Sequence, residues 1–150
     1  AVEAAEQCGQ RGIKSIIMIS AGFAESGNMG GEKKLLEILK KYGMSLLGPN
    51  CFGIFNPENN LDLTFSAITP AKGNVAFISQ SGALWSYIAD LTPLGFSGFA
   101  SLGNMADLDF NDFMNYFCRD KMTKSIVLYV EKLKDGKKFI IGMQEYRLII

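Results

Sequence analysis

Short apolar runs alternate with amphipathic segments along this chain, and glycine or proline separates most of them. The run SIIMIS at residues 15–20 is typical of a strand that is buried on both faces of a parallel sheet. The helix that follows is predicted to end at Gly43 and to turn three leucines inward, Leu35, Leu36 and Leu39. The first part of the chain is therefore predicted to contain a helix at 1–11, a strand at 15–20, a helix from 30 or 31 to 42, and a strand at 44–47.

The periodicity is lost from residue 55 to residue 72, where prolines, asparagines and glycine mark a connection. Its length is typical of a domain junction or a functional loop. A second alternation then predicts strands at 75–79, 99–102 and 125–130, and helices at 82–91, 109–119 and from 135 onward. The helix from 135 loses its apolar stripe near 140–143 and ends in Leu148-Ile149-Ile150. The fold class is therefore α/β, with two open parallel-sheet units at 1–70 and 71–150.

Composition excludes several classes of function. The 150 residues carry fifteen acidic and fifteen basic side chains, so the chain lacks the charge of a nucleic-acid or anionic-membrane binder. No apolar run approaches the roughly 20 residues of a membrane span, and no signal sequence is expected. The three cysteines, Cys8, Cys51 and Cys118, are widely spaced and odd in number, which favours a reducing cytoplasm. Histidine is absent, which excludes a Ser-His triad or a His-ligated metal within these residues.

Three turns carry the candidate chemistry. They are Ser20-Ala21-Gly22-Phe23, Gly48-Pro49-Asn50-Cys51 and Ser79-Gln80-Ser81-Gly82. Open parallel sheets bind ligands at the carboxyl ends of their strands, and a helix that begins there points free N–H groups at an anion. We therefore predict an anion site at Ser81, Gly82 and Ala83. The pattern Ser-x-Ser-Gly also suits plain N-capping, and that alternative stays open.

Each remaining candidate also has a structural alternative. Gly22 suits the close passage of an extended ligand, or is simply a turn glycine. Cys51 is either a small buried hydrophobe, which we favour, or a nucleophile. Asp109 is expected to cap the next helix rather than to share a metal with Asp107, and no metal site is predicted. Glu131 ends a buried strand, either as a surface carboxylate or as a group that orients an imidazole from outside these residues.

Several motifs in a fixed order point to a known family. The segments are Ser20-Ala21-Gly22-Phe23, Tyr42-Gly43-Met44, Leu47-Gly48-Pro49-Asn50-Cys51-Phe52-Gly53-Ile54, Gly73-Asn74-Val75-Ala76-Phe77-Ile78-Ser79-Gln80-Ser81-Gly82-Ala83-Leu84, Gly95-Phe96-Ser97, Ser101-Leu102-Gly103-Asn104-Met105-Ala106-Asp107, Tyr129-Val130-Glu131 and Lys134-Asp135-Gly136-Lys137-Lys138-Phe139. Together they resemble the NDP-forming acyl-CoA synthetases, such as ADP-forming acetyl-CoA synthetase, which are related to the alpha subunit of succinyl-CoA synthetase. The resemblance covers about residues 1–139.

The resemblance implies a reaction and a set of roles. Acyl-CoA, ADP and phosphate would give carboxylate, CoA and ATP through an acyl phosphate and a phosphorylated histidine. Residues 1–70 would be the latter part of a Rossmann-like CoA-binding domain, and 71–150 the first part of a flavodoxin-like ligase domain, both incomplete. The implied site residues are Ser20, Ala21 and Gly22 along the CoA path, Asn50 and Cys51 near the CoA thiol, Ser81, Gly82 and Ala83 at the phosphate, and Glu131 as support for the active histidine.

The chain also departs from that family. The family's glycine-rich CoA loop would lie before Ala1 and its catalytic histidine beyond Ile150, so the resemblance implies a fragment that has no synthetase activity alone. Lys132 stands where the family usually has glycine, and after Phe139 the sequence no longer resembles the family's amphipathic helix. In the intact cytoplasmic enzyme, ADP or ATP and Mg²⁺ would bind outside this segment, on an ATP-grasp domain or beta subunit, within an oligomer.

Two alternative functions remain open at this point. One is an acyl-CoA synthetase-like subunit of a protein acetyltransferase, which would sense acyl-CoA without a phosphohistidine cycle. The other is a nonenzymatic module that binds a flavin or another mononucleotide on a flavodoxin-like fold. Titration with FMN and with CoA distinguishes the second alternative from the synthetase.

Overall fold

A small α/β layer forms the first unit of the computed structural model, which describes residues 1–145. Its parallel strands are β1 (Ser15–Ile17) and β2 (Ser45–Leu47), covered on one face by the helices α1 (Val2–Gln10) and α2 (Met29–Tyr42). Gly43 adopts a left-handed φ of 62° and ends α2, as the sequence predicts.

Two expectations for this layer are corrected. Ile38 rather than Leu36 is buried with Leu35 and Leu39, because the stripe of α2 that faces the strands is rotated from the one read off the sequence. Strand β1 is three residues long and only partly buried, and Ile19 is exposed. The chain leaves the sheet after the N–H of Met18 donates to the carbonyl of Leu47, so the rest of SIIMIS lies outside it.

Five strands form the second sheet, in the spatial order β4-β3-β6-β5-β7. They are β3 (Ile54–Asn56), β4 (Leu61–Asp62), β5 (Lys72–Ser79), β6 (Phe96–Ser101) and β7 (Ser125–Tyr129). Strand β5 pairs in parallel with β6 and β7, whereas β3 is antiparallel to β4 and β6. The α/β class is confirmed, but this sheet is mixed, because part of the expected connection forms a hairpin on the edge of the sheet.

Helices cover both faces of the second sheet. Helix α3 (Gly82–Leu91) packs its buried Trp85 against one face, with the ring stacked on Phe99 at a centroid distance of 4.0 Å. Helices α4 (Phe110–Arg119) and α5 (Gly136–Glu145) cover the other face, over Ala76 and Ile78 of β5. The central strand β5 is thus enclosed, and its carboxyl end leads directly into α3.

The edge strand β7 is less buried than its sequence SIVLYV predicts. Val127 is 47% exposed and Tyr129 is also exposed, while Ile126 and Leu128 pack toward α4 and α5. Val127 is in register with Phe77, which places it on the face that α3 covers. Among the described residues α3 lies over β5 and β6 and leaves that side of β7 open.

Helix α5 is more regular than its sequence indicates. Phe139 and Met143 are buried on one side, and Ile140 and Ile141 are exposed on the other. A Cβ added to Gly142 would lie 2.5 Å from the Oδ1 of an asparagine on α4, so the glycine allows the two helices to approach closely. The predicted apolar end at 148–150 lies outside the described residues. No helix within residues 1–145 is long and apolar enough to cross a membrane.

Candidate functional site

The three turns that the sequence singles out are linked to one another by direct contacts. The N–H of Asn50 donates to the carbonyl of Ser20 at 3.0 Å, which joins the first turn to the second. The N–H of Phe52 donates to Ser101 Oγ at 2.9 Å, and a Cβ added to Gly82 would lie 2.7 Å from Phe52 Cβ, which joins the second turn to the third. The structure therefore places the candidate CoA residues and the candidate phosphate residues in one continuous group of turns.

The phosphate turn, Ser79-Gln80-Ser81-Gly82, combines a capping residue with N–H groups that have no hydrogen-bond partner among the described residues. Ser81 is the N-cap of α3, and its Oγ accepts from the N–H of Leu84 at 3.4 Å. The N–H groups of Gly82 and Ala83 find no acceptor in the described part of the chain, as expected for the first turn of a helix. Gly82 is half-buried and Ala83 is exposed. N-capping and anion binding are therefore compatible at this turn, because they use different donors.

Gln80 fixes the loop that carries Glu131, a role that the sequence did not suggest. Its Oε1 accepts from the N–H groups of Glu131 and Lys132, each at 2.8 Å, and its own N–H donates to the carbonyl of Tyr129 at 3.2 Å. Strand β7 ends at Tyr129, so Glu131 lies in the following loop and is exposed beside the phosphate turn. The only signal in the sequence was the polar Gln80 between two serines at the end of a buried strand.

A glutamate that sequence reasoning missed completes the first turn. Oε1 of Glu25 accepts from the N–H groups of Gly22 and Phe23 at 2.5 and 3.1 Å, and its Oε2 accepts from Asn104 Nδ2 at 2.5 Å. Desolvation by itself would raise the pKa of the Glu25 carboxyl, but the hydrogen bonds from Asn104, Gly22 and Phe23 outweigh it and lower the pKa to about 2. The carboxylate is therefore ionised at neutral pH and holds the shape of this turn.

Asn50 and Cys51 occupy contrasting environments. Asn50 is exposed, with a left-handed φ of 57°, and its Nδ2 donates to Asn104 Oδ1 at 3.3 Å. Cys51 is only 4% exposed, and its Sγ lies 3.4 Å from the carbonyl oxygen of Met18. Burial raises the pKa of the Cys51 thiol, which disfavours the thiolate. Cys51 thus fits a small buried hydrophobe that supports the turn from behind rather than a nucleophile.

The two aspartates considered as metal ligands have structural roles. Asp109 caps α4 in a reciprocal capping box with Asp112 and forms an ion pair with Lys138 at 3.1 Å. Oδ2 of Asp107 accepts from the N–H of Leu46 at 2.8 Å. Within residues 1–145 the structure contains no group of three or more His, Cys, Asp or Glu that could hold a metal ion.

Comparison with known proteins identifies the family. Residues 72–148 match the family described as the succinyl-CoA ligase like flavodoxin domain, and the chain belongs to this family. The chain is 52% identical over 139 residues to the alpha subunit of acetate–CoA ligase (ADP-forming) II from Pyrococcus furiosus, covering 89% of this chain and 30% of the relative. It is 48% identical over 138 residues to acetate–CoA ligase (ADP-forming) from Methanocaldococcus jannaschii, covering 90% and 20%.

Solved structures support the same relationship. Dinucleotide forming acetyl-coenzyme A synthetase 1 from Ca. Korarchaeum cryptofilum, in complex with phosphate and ADP, matches with a TM-score of 0.92 and 37% identity. That match covers 97% of this chain and 32% of the other. The chain thus spans a fifth to a third of the length of these relatives. The resemblance to NDP-forming acyl-CoA synthetases is confirmed.

Proposed function

We propose that this chain is the part of an ADP-forming acyl-CoA synthetase that binds CoA and holds the phosphoryl group during its transfer. The observation that carries the proposal is the series of contacts that joins the three turns as far as the N-terminus of α3, where the N–H groups of Gly82 and Ala83 have no acceptor within residues 1–145. The likeness to acetate–CoA ligases supports the same chemistry. The division into a CoA-binding part at 1–70 and a ligase part at 71–150 belongs to this proposal, with the β3–β4 hairpin reaching onto the second sheet.

The CoA part of the proposal rests on exposed small residues. Ser20, Ala21, Gly22 and Asn50 are all exposed at the end of the first sheet. Small side chains let an extended pantetheine arm lie close to the backbone, and Asn50 offers an amide to its polar groups. Cys51 is buried beneath them and shapes the turn instead of facing the ligand.

The phosphate part of the proposal rests on the start of α3. Phosphate would displace CoA from the acyl group, and the acyl phosphate would pass its phosphoryl group to an imidazole outside this segment and then to ADP. Backbone donors at a helix N-terminus stabilise an anion by about 0.3–1 kcal/mol when exposed and up to ~2 when partly buried. A stabilisation of this size is enough to hold a phosphoryl group and small enough to let it leave again. Glu131, fixed beside the turn by Gln80, would orient the imidazole and stabilise its positive charge.

The remaining parts of the reaction fall outside the described residues. We infer that ADP or ATP and Mg²⁺ bind on an ATP-grasp domain or a beta subunit, within an oligomer. The three cysteines are unpaired, which fits a cytoplasmic location.

Titration of the purified chain with CoA tests the first half of the proposal. We expect saturable heat in calorimetry with CoA and none with FMN, and Ala21→Asp should weaken CoA binding about tenfold because it adds a negative charge on the path of an anionic ligand. Ala4→Asp introduces the same change at an exposed position of α1 and should leave the affinity unaltered. Binding of FMN without CoA would instead support the flavin-binding module.

Titration with inorganic phosphate tests the second half of the proposal, the phosphate site at the start of α3. Adding phosphate should shift the amide NMR signals of Gly82 and Ala83, and Gly82→Ala should weaken this binding about fivefold, because the new Cβ collides with Phe52 and displaces the start of α3. Gly136→Ala is the matched control, since it changes the first residue of α5 where a Cβ meets nothing within 4 Å. Equal phosphate affinities for the two variants would contradict the assignment of this turn.

A further inference from the structure

Asn104 joins the two units through its backbone N–H and both polar atoms of its side chain. It lies in the loop after β6, and its backbone N–H donates to the carbonyl of Pro49 at 2.9 Å. Its Nδ2 donates to Oε2 of Glu25 at 2.5 Å and to Oε2 of Glu32 at 3.1 Å. Its Oδ1 accepts from Nδ2 of Asn50 at 3.3 Å. One side-chain amide of the second unit therefore contacts the second turn directly, at Asn50, and is joined to the first turn only through Glu25.

Glu25 links Asn104 to the candidate CoA turn through hydrogen bonds. One of its carboxylate oxygens accepts from Asn104, and the other accepts from the N–H groups of Gly22 and Phe23. These two N–H groups belong to the turn that we propose to lie along CoA. The carboxylate that binds this turn thus also accepts from a donor 79 residues further along the chain than Glu25.

The side-chain amide of Asn104 is a donor that two carboxylates share. The carboxylates of Glu25 and Glu32 converge on a single nitrogen, and neither forms an ion pair with a lysine or arginine within residues 1–145. The shared donor offsets the repulsion between these two negative charges. The position of Asn104 is itself constrained, because Gly103 and Met105 on either side have left-handed φ values of 54° and 52°.

We propose that Asn104 is a positioning residue, which acts through Glu25 to hold the Gly22-Phe23 turn in the shape that binds CoA. The proposal rests on the proposed CoA site and adds that the second unit shapes it. CoA affinity then requires a side chain at position 104 that donates to Glu25, even though no contact between Asn104 and the ligand is invoked.

Asn104→Asp is the direct test. Aspartate has nearly the same shape but cannot donate, so it places a third carboxylate beside Glu25 and Glu32. We expect CoA to bind about tenfold more weakly in calorimetry, and the amide NMR signals of Gly22 and Phe23 to move. Asn74→Asp makes the same chemical change at an exposed residue near the opposite end of β5 and should alter neither readout.

A double variant that exchanges the donor and the acceptor distinguishes the positioning role of Asn104 from a general loss of structure. In Glu25→Gln, Oε1 can still accept from Gly22 and Phe23, but the new amide faces the amide of Asn104, so binding should again weaken. Combining Glu25→Gln with Asn104→Asp reverses the donor and the acceptor of one hydrogen bond. The double variant should recover part of the CoA affinity and return the Gly22 and Phe23 signals toward their original positions.

The outcomes decide the proposal in each case. Wild-type affinity in Asn104→Asp, or a double variant no better than either single variant, would overturn it. If Asn104→Asp does not fold, Glu25→Gln and the double variant give the same decision. If the unchanged chain binds no CoA, the proposed function fails, and the amide signals of Gly22 and Phe23 still show whether Asn104 positions the turn.

Discussion

Replacing Trp85 with alanine should lower the free energy of unfolding by about 3–5 kcal/mol. The Trp85 side chain is 1% exposed and lies between α3 and the sheet. Its ring is parallel to that of Phe99 within 4° and meets the ring of Phe96 edge-on at a centroid distance of 5.0 Å. Alanine would remove these contacts and leave a cavity in a core that the surrounding aromatic rings cannot close.

Chemical denaturation monitored by circular dichroism measures this loss. Tyr87→Ala on the same helix is the control, because Tyr87 is 69% exposed and its removal should change the free energy by no more than about 0.5 kcal/mol. Since Trp85 anchors the helix that begins at Ser81, phosphate binding should weaken in the Trp85 variant as well. Equal destabilisation by the two substitutions would show that α3 does not pack on the sheet as described.

Gly103→Ala should destabilise the protein by about 2–5 kcal/mol, for two separate reasons. Gly103 has a left-handed φ of 54°, which an L-residue with a Cβ adopts at a penalty of about 1–2 kcal/mol. The added Cβ would also collide with the carbonyl oxygens of Pro49 and Asn50, and overpacking of this kind costs about 1–3 kcal/mol. Both neighbours belong to the turn that contacts Asn104.

Gly12→Ala carries only the first of these effects, so comparing the two variants isolates the collision. Gly12 also has a left-handed φ, of 76°, but a Cβ there meets nothing within 4 Å. The Gly12 variant should therefore show only the backbone penalty. The Gly103 variant should unfold at a clearly lower denaturant concentration than the Gly12 variant. Identical midpoints for the two variants would mean that the loop after β6 is not packed against the Pro49 turn.

The geometry suggests why the two units have to be close together. A synthetase of this type would pass a reacting group from the CoA thiol to phosphate, and transfer between groups held in separate units is fast only when both are oriented in advance. The contacts of Phe52 with Ser101 and Gly82 bring the two units together through uncharged residues. Uncharged donors suit a phosphoryl group that has to leave again.

The positions of the three turns could be predicted from the sequence because they depend on local features. A buried strand, a small polar residue that caps a helix, and a glycine that ends one are each recognised within a few neighbouring residues. The predictions that α2 ends at Gly43 and that Asp109 caps α4 are confirmed, and Ser81, for which capping was one of two alternatives, is the N-cap of α3. The antiparallel β3–β4 hairpin was missed, because its strands are only three and two residues long and too short to show a period.

The sequence by itself determined the α/β class and the order of most elements, since hydrophobic periodicity and capping are local properties of the chain. The family was indicated by resemblance, through motifs that stand in a fixed order. Only the tertiary structure decided which polar side chains complete the candidate site. Gln80 meets Glu131 across 51 residues, and Glu25 meets Asn104 across 79. Hydrogen bonds between exposed polar residues leave no periodic trace in a sequence, and their partners are chosen by how the two sheets and their loops pack together.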